Sequence, residues 1–307
     1  MSNMYHRPVL LQECIEGLNI KPDGVYVDVT FGGGGHSKEI LKQLSEKGKL
    51  FAFDQDADAK ANVPNDKRLV FIPQNFAYMQ NFLRMYGATQ VDGILADLGV
   101  SSHQFDVADR GFSIRFDGAL DMRMNQSAAK TAAKILNEYK EEDLYRIFKQ
   151  YGEVENTGKL VKAISEARLI QAIESIAEFK EAIKNCIPKM QEHKYLAKVF
   201  QALRIEVNEE EDVLKSFLQQ TLEVLKPGGR LVVISYHSLE DRLVKNFTKT
   251  GNINGEIKKD FFGNIHRPFD LITKKPVVPT EEEIKINTRA RSAKLRVSEK
   301  TMYGQQV

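Results

Sequence analysis

Two hydrophobic rhythms alternate along the first hundred residues. Val9, Leu10, Ile15 and Leu18 fall at helical spacing, and Pro22-Asp23-Gly24 then turns the chain into Val25-Tyr26-Val27-Asp28-Val29, whose β-branched and aromatic residues predict a buried strand. Four glycines, Gly32 to Gly35, interrupt before helical periodicity returns at about Lys38 with Ile40, Leu41 and Leu44, a helix expected to end near Gly48. Leu50-Phe51-Ala52-Phe53, Leu69-Val70-Phe71-Ile72 and Val91 to Asp97 read as further apolar strands. The pattern predicts an open α/β sheet with crossover connections.

The grammar changes between Asp97 and the next clear strand. Apolar positions recur at helical intervals in Leu144, Ile147, Phe148 and Tyr151, in Leu160, Ile164 and Ala167, and in Ile176, Phe179 and Ile183, with Pro188 expected to close the last helix. This predicts a helical domain inserted in the α/β chain: residues 1–104 and 205–307 form the core, and 105–204 the insert. The α/β pattern resumes with a helix from about Glu209 to Leu225, a turn at Lys226-Pro227-Gly228-Gly229-Arg230 and the strand Leu231 to Ser235. A terminal strand, with an arginine-rich loop before it, is expected within Arg289 to Val297.

Composition narrows the class without deciding it. With 42% hydrophobic and 28% charged residues, the 307-residue chain can bury a sizeable core, and a formal charge of +2 neither requires nor excludes a nucleic-acid partner. Any basic surface must be local; Lys184, Lys189, Lys194, Lys198 and Arg204 in the insert form either a nucleic-acid face or ordinary solvated surface. Cys14 and Cys186 lie far apart without metal-ligand spacing, which suits buried fillers in a reducing compartment and gives no metal site. Met1 to Pro8 lacks a signal-peptide core and no run has the length of a membrane span, so a cytoplasmic protein is expected.

Candidate chemistry gathers at the strand ends. Glycines in a strand–loop–helix turn let the backbone take positive φ and let a ligand approach. Asp28, ahead of the glycines, is placed to pair with an amino-acid ammonium and to repel a pyrophosphate, which favours S-adenosylmethionine over a dinucleotide. Asp54 closes the second strand, 26 residues after Asp28, where a ribose would be held by its hydroxyls, while Asp56 suits a helix cap. Phe76 either stacks on an adenine or plugs the core. Asp97 ends the fourth strand at the carboxyl edge of the sheet, as a residue of the chemistry or as a turn initiator. In Tyr236-His237-Ser238-Leu239-Glu240-Asp241-Arg242, Ser238 and Asp241 have capping-box-like spacing, and His237 is left open between a catalytic and a structural part.

Taken together, these stretches resemble one family, the bacterial small-subunit ribosomal RNA methyltransferases called RsmH or MraW. The likeness runs through His6-Arg7-Pro8-Val9-Leu10-Leu11, Thr30 to Ser37, Asp97-Leu98-Gly99-Val100-Ser101-Ser102, Arg110-Gly111-Phe112-Ser113, Leu120-Asp121-Met122-Arg123-Met124, Ser238-Leu239-Glu240-Asp241-Arg242 and Arg289-Ala290-Arg291-Ser292. It covers nearly the whole chain and departs from the commoner pattern at Phe105, where the family often has Leu. The resemblance implies a class I (Rossmann-like) methyltransferase sheet with an inserted helical domain, S-adenosylmethionine as donor, and N4-methylation of a decoding-region cytidine in 16S rRNA of the small ribosomal subunit or its assembly intermediate. Carried over by position, it implies cofactor contacts from Gly34, Gly35, His36, Asp54, Phe76, Asp97 and Gln104.

The acceptor is the chemical difficulty, because a cytosine amino nitrogen shares its lone pair with the ring. A hydrogen-bond acceptor aimed at its N–H would localise that pair, and either the Asp97 carboxylate or the Leu98 carbonyl can serve. Two other classes share parts of the pattern: a nicotinamide-dependent oxidoreductase, which lacks any evident hydride-transfer constellation here, and a non-catalytic RNA-binding protein built on the insert.

Overall fold

The computed structural model describes residues 8–302 apart from 258, 260–262 and 264–266; His6 and Arg7 of the first motif lie outside the described residues. The chain divides into two compact units, Met1–Gly99 with Asp212–Val307, and Val100–Glu211. The expected boundaries at 104/105 and 205 therefore shift outward. Ser101 and Gln104 are tied into one capping box, and the helix running through Arg204 continues to Asn208.

The first unit is built on β1 (Val25–Asp28), β2 (Lys49–Phe53), β3 (Leu69–Ile72), β4 (Val91–Asp97), β5 (Leu225–Ser235), β6 (Phe269–Leu271) and β7 (Lys294–Lys300). They form one sheet in the order β3-β2-β1-β4-β5-β7-β6. The first five are parallel, β7 runs antiparallel to β5, and β6 antiparallel to β7. The expected terminal strand is β7, and a tight turn at Thr288–Ser292 carries the arginines before it. The anticipated turn at Lys226–Arg230 is a bulge inside β5: Val91 pairs with Leu225 and Gly93 already with Arg230, so Pro227 and the two glycines loop out between.

In chain order the helices are α1 (Leu11–Leu18), α2 (Gly35–Gln43), α3 (Met79–Met85), α4 (Ser102–Asp106), α5 (Ala132–Glu138), α6 (Glu141–Gln150), α7 (Thr157–Ile170), α8 (Ile176–Ile183), α9 (Glu192–Asn208), α10 (Glu210–Val224), α11 (Ser238–Thr250) and α12 (Glu281–Ile286). α2 starts three residues earlier than expected, because Gly34 caps it at φ 72° and its carbonyl accepts the first helical bond, from Lys38. It ends at Gln43, where Leu44 turns extended. None of the described helices is long and apolar enough to cross a membrane.

Alternate strand residues feed two cores. Val27, Phe51, Ile94, Leu231 and Val233 pack with Leu83, Phe217, Leu218 and Phe247; Tyr26, Leu50, Leu95, Val232 and Ile234 pack with Cys14, Leu18, Ile40 and Leu41 on the other side. Burial on both faces is why these strands read as continuous apolar runs. Both cysteines are free and buried.

The second unit has its own core of Leu144, Ile147, Phe148, Leu160, Ile164, Phe179, Leu196, Val199 and Leu203. The helix over Ile176–Ile183 and the short turn after it end ahead of Pro188, as expected, but the helical unit does not stop there. After Pro188 comes α9, with 17 residues, which buries Leu196, Val199, Phe200 and Leu203. The arginine motifs of this unit build its long loop: Arg110 donates to the Arg123 and Met124 carbonyls, and Arg123 holds Asp121 and the Gln126 and Ala128 carbonyls. The anticipated basic face is broken up in the same way. Lys184 pairs with Glu181, Lys198 donates to the Glu153 carbonyl at 3.1 Å and Arg204 pairs with Glu210 at 2.8 Å, leaving Lys189 and Lys194 exposed.

Candidate active site

Parallel strands with crossovers bring their carboxyl ends to one edge, and there the first unit assembles Asp28, Asp54 and Asp97. Their environments differ. Asp28 is 1% exposed, accepting from Ser37 Oγ at 2.7 Å and from the Thr30 N–H at 3.1 Å. Burial pushes its carboxyl up, against the pull of His36, Ser37 and Thr30. It ties the glycine loop to β1 and offers no surface to a ligand, which corrects the ammonium contact expected of it.

Asp54 is half-buried. Its two oxygens accept from the Gly32 N–H at 2.7 Å and the Asp56 N–H at 2.8 Å, and each keeps capacity for a further donor. Burial raises its carboxyl to about 6, opposed by those two bonds and assisted by the charges of Asp56 and Asp28. Asp56 caps the short turn after it by accepting from the Asp58 N–H, as its position suggested.

Asp97 keeps 22% of its side chain exposed. Tyr236, the first residue after β5, donates its hydroxyl to Asp97 Oδ1 at 2.7 Å, and the Asp97 N–H donates to Thr30 Oγ1 at 2.7 Å. Oδ2 faces His36 Nδ1 at 3.9 Å and, among the described residues, accepts no hydrogen bond. Burial again leads in raising this carboxyl to about 6; His36 and Tyr236 oppose it, and Asp28 and Glu240 add to it. Tyr236 is itself pushed well above the ordinary tyrosine range by burial and by Asp97, so it stays a donor.

The glycines divide by role. A side chain on Gly33 would meet nothing within 4 Å, whereas one on Gly34 would lie 2.7 Å from the Phe31 ring at a φ of 72°. One on Gly35 would strike the Pro8 ring. His36 is buried with Nε2 3.1 Å from the Val9 carbonyl; a carbonyl only accepts, so Nε2 carries the hydrogen and Nδ1 turns to Asp97. Gly35 and His36 thus seat the segment before α1, and the open backbone lies at Gly33. Phe76 is half-buried, packing edge-on against Phe217 at 5.3 Å, so it serves the core on one side. Gln104 belongs to the second unit, where its carboxamide oxygen accepts from the Ser101 N–H at 3.0 Å in the capping box of α4.

The capping frame at α11 is one residue earlier than expected. His237 is the N-cap, its Nδ1 accepting from the Glu240 N–H at 3.5 Å, while Glu240 accepts from the Tyr236 N–H at 2.8 Å. Asp241 pairs instead with Arg296 at 2.7 Å. Sequence reasoning missed Tyr236, Thr30 and Ser37. The signal for Tyr236 was its position directly after the strand that neighbours β4.

The open backbone at Gly33 and the two partly open carboxylates fit an amino-acid-bearing nucleoside better than a second nucleotide phosphate. The family model for MraW methylases matches residues 3–301. The chain belongs to the MraW methylase family. Proteins named ribosomal RNA small subunit methyltransferase H from Parabacteroides distasonis and Bacteroides thetaiotaomicron are each 60% identical to it, covering 96% of this chain and 97% of theirs. The one from Flavobacterium johnsoniae is 59% identical over 96% of this chain and 98% of its own. The mixed seven-stranded sheet of this MraW-family chain is a class I methyltransferase sheet, with the helical unit inserted after β4. Membership decides against the nicotinamide oxidoreductase.

Proposed function

We propose that this MraW-family protein transfers a methyl group from S-adenosylmethionine to N4 of a decoding-region cytidine in 16S rRNA, within the small ribosomal subunit or its assembly intermediate. The substrate class follows the names of its relatives. The observation that supports the chemistry is the Asp97 carboxylate, 22% exposed: one oxygen is taken by Tyr236, and the other is unclaimed by any donor among the described residues.

When bound, S-adenosylmethionine supplies a methyl group already activated by its sulfonium, so alignment and handling of the amine fall to the protein. We assign the cofactor to the open backbone at Gly33 together with Gly34, Gly35, His36, Asp54, Phe76 and Asp97, with Asp54 accepting ribose hydroxyls and the free side of Phe76 meeting the adenine. Gln104 is assigned by family resemblance alone, since its carboxamide oxygen already caps α4. Asp97 Oδ2 accepts from the cytosine amino N–H, localising the nitrogen lone pair for attack. The same oxygen then takes the proton that the methylated nitrogen sheds. The base must leave its stack to reach the carboxylate.

The inserted unit carries 17 Lys and Arg against 19 Asp and Glu, so it has no electrostatic excess with which to draw RNA. Its part in this reading is to recognise folded shape. The test is transfer of labelled methyl to 30S particles, free 16S rRNA and a short hairpin at matched salt, with the modified base identified in a nuclease digest. N4-methylcytidine formed fastest on particles is expected; label on another atom overturns the chemistry, and equal rates on all three overturn the shape reading.

A further inference from the structure

We infer that the outer face of α11 is a track for the phosphate backbone of the RNA, with Arg242, Lys245 and Lys249 as its contacts; this rests on the RNA substrate proposed above. The helix SLEDRLVKNFTKT holds two acids and three bases, and the fold separates them. Glu240 is 5% exposed and accepts from the Tyr236 N–H at 2.8 Å. Asp241 turns to β7, where Arg296 meets it at 2.7 Å and Lys294 at 3.4 Å. Leu239, Val244, Phe247 and Thr248 are buried. Both negative charges of the helix are therefore spent inward.

What remains outside is positive. Arg242, Lys245 and Lys249 are all exposed, and among the described residues none of the three has an acidic partner. At 3.6 residues per turn they fall within roughly 60° of one another around the helix and span about 10 Å along it. Surface lysines elsewhere in this chain are commonly neutralised by a neighbour three residues away, as in Lys42 with Glu39 and Lys215 with Asp212. Here the spacing puts cation beside cation. Such a stripe costs self-repulsion in the free protein and is relieved by a polyanion.

Its position gives the stripe a purpose. α11 is capped by His237, next in sequence to the Tyr236 whose hydroxyl holds Asp97. Arg242 lies about a turn and a half along the helix from Tyr236, so the stripe begins near the sheet edge that carries the carboxylate. The charge balance agrees. The unit that carries α11 has 27 Lys and Arg against 23 Asp and Glu, whereas the insert is net acidic.

The experiment compares the full-length protein with the triple variant R242Q/K245Q/K249Q, and with a control, K47Q/K60Q/K67Q, that removes three exposed charges elsewhere on the same unit. Retention of labelled 16S rRNA on filters is measured from 50 to 200 mM salt, with S-adenosylmethionine binding followed by calorimetry. The track variant is expected to bind rRNA at least 30-fold more weakly than the parent at low salt. Its log–log salt slope should be shallower by about 2, at roughly 0.7 for each phosphate that the variant no longer neutralises. Cofactor affinity should stay within two-fold. Unchanged rRNA affinity and slope, or an equal loss in the control, overturns the track, as does binding of the stripe to anionic phosphatidylglycerol vesicles with rRNA unaffected. Because retention needs no turnover, a parent protein that methylates no rRNA refutes the proposed function while still leaving the track decided by these curves.

Discussion

Tyr236 and Asp97, 139 residues apart, meet in a 2.7 Å hydrogen bond that fixes which carboxylate oxygen is free. The turn after β4 closes on the same ring: Gly99 takes φ 106°, and a side chain there would lie 3.3 Å from Tyr236 Cδ2. Tyr236→Phe keeps that packing and removes only the donor. Without the donor the Asp97 carboxyl should rise above its value of about 6, since Tyr236 is one of the groups that hold it down. We expect the acid limb of the pH–rate profile to move upward, with turnover reduced about two- to seven-fold near pH 6 and less above pH 8, as the ~0.5–1.5 kcal/mol of a typical hydrogen bond implies. In an Asp97→Asn background the same change should have little further effect. A limb that does not move, measured with the cofactor saturating, would show that the hydroxyl does not act through Asp97.

Asp97→Asn should separate chemistry from binding. The amide keeps the shape and a hydrogen-bond acceptor but takes up no proton, so turnover is expected to fall by about 10²–10⁴. Affinity for S-adenosylmethionine should change by less than about ten-fold. If turnover and affinity fall in the same proportion, Asp97 is a cofactor ligand alone.

The glycines offer a test of where the ligand approaches. Gly33→Ala meets open space and should leave stability unchanged or raised by up to ~1 kcal/mol, while cofactor affinity drops. Gly34→Ala should instead cost stability, at least the ~1–2 kcal/mol of a left-handed alanine, because its φ is 72° and Phe31 stands 2.7 Å away. Calorimetry and urea unfolding of both variants give the two readouts; a Gly33→Ala protein with full affinity would place the cofactor elsewhere.

Much of this site was legible in the sequence because strands buried on both faces announce themselves as apolar runs, and Asp54 and Asp97 end two of them. Their openness was not legible. Asp28 ends its strand in the same way as Asp97, yet one is sealed by Ser37 and Thr30 and the other keeps 22% of its side chain exposed, a difference that only packing decides. The start of α2 was obscured because glycine is a poor helix former and the first apolar marker comes at Ile40. α9 was missed behind Pro188, where charged residues fill the gaps between its buried Leu196, Val199, Phe200 and Leu203. The Tyr236–Asp97 bond depends on β5 lying beside β4 across a long insertion, and local pattern does not carry that order. The cap of α11 slipped by one residue because an imidazole took the role usually given to serine.

Asp54→Ala should weaken S-adenosylmethionine binding by about 1.5–3 kcal/mol, the range for hydrogen bonds to a charged acceptor. Part of that loss will be structural, since the carboxylate also accepts from the Gly32 N–H at 2.7 Å and so braces the glycine loop. Asp54→Asn is the milder change: it keeps an acceptor for one of the two backbone N–H groups, sets an NH2 against the other and loses the charge, so urea unfolding of both variants gives the structural part of the loss. Calorimetric titration of both variants is the measurement, and unchanged affinity in the alanine variant would remove Asp54 from the cofactor site.

The raised carboxyls also set a pH dependence of folding. A group whose folded pKa lies above its unfolded value favours the fold most when protonated. Its contribution is fully present below the unfolded pKa and is lost as pH rises through the folded one. For Asp97 those values are 3.8 and about 6, so its burial as an anion destabilises the fold above pH 6 and not below pH 4. Asp241 and Asp92 act oppositely, since their lowered carboxyls lose stabilising partners as pH falls, and total stability mixes both signs. The difference between Asp97→Asn and the parent isolates the one residue. Without cofactor, the variant should be more stable by about 1–3 kcal/mol at pH 8, the gain shrinking through pH 6 and vanishing near pH 4. Urea unfolding at closely spaced pH values measures it. A gain that persists at pH 4, or none at pH 8, would mean that Asp97 is not held as a buried anion at neutral pH.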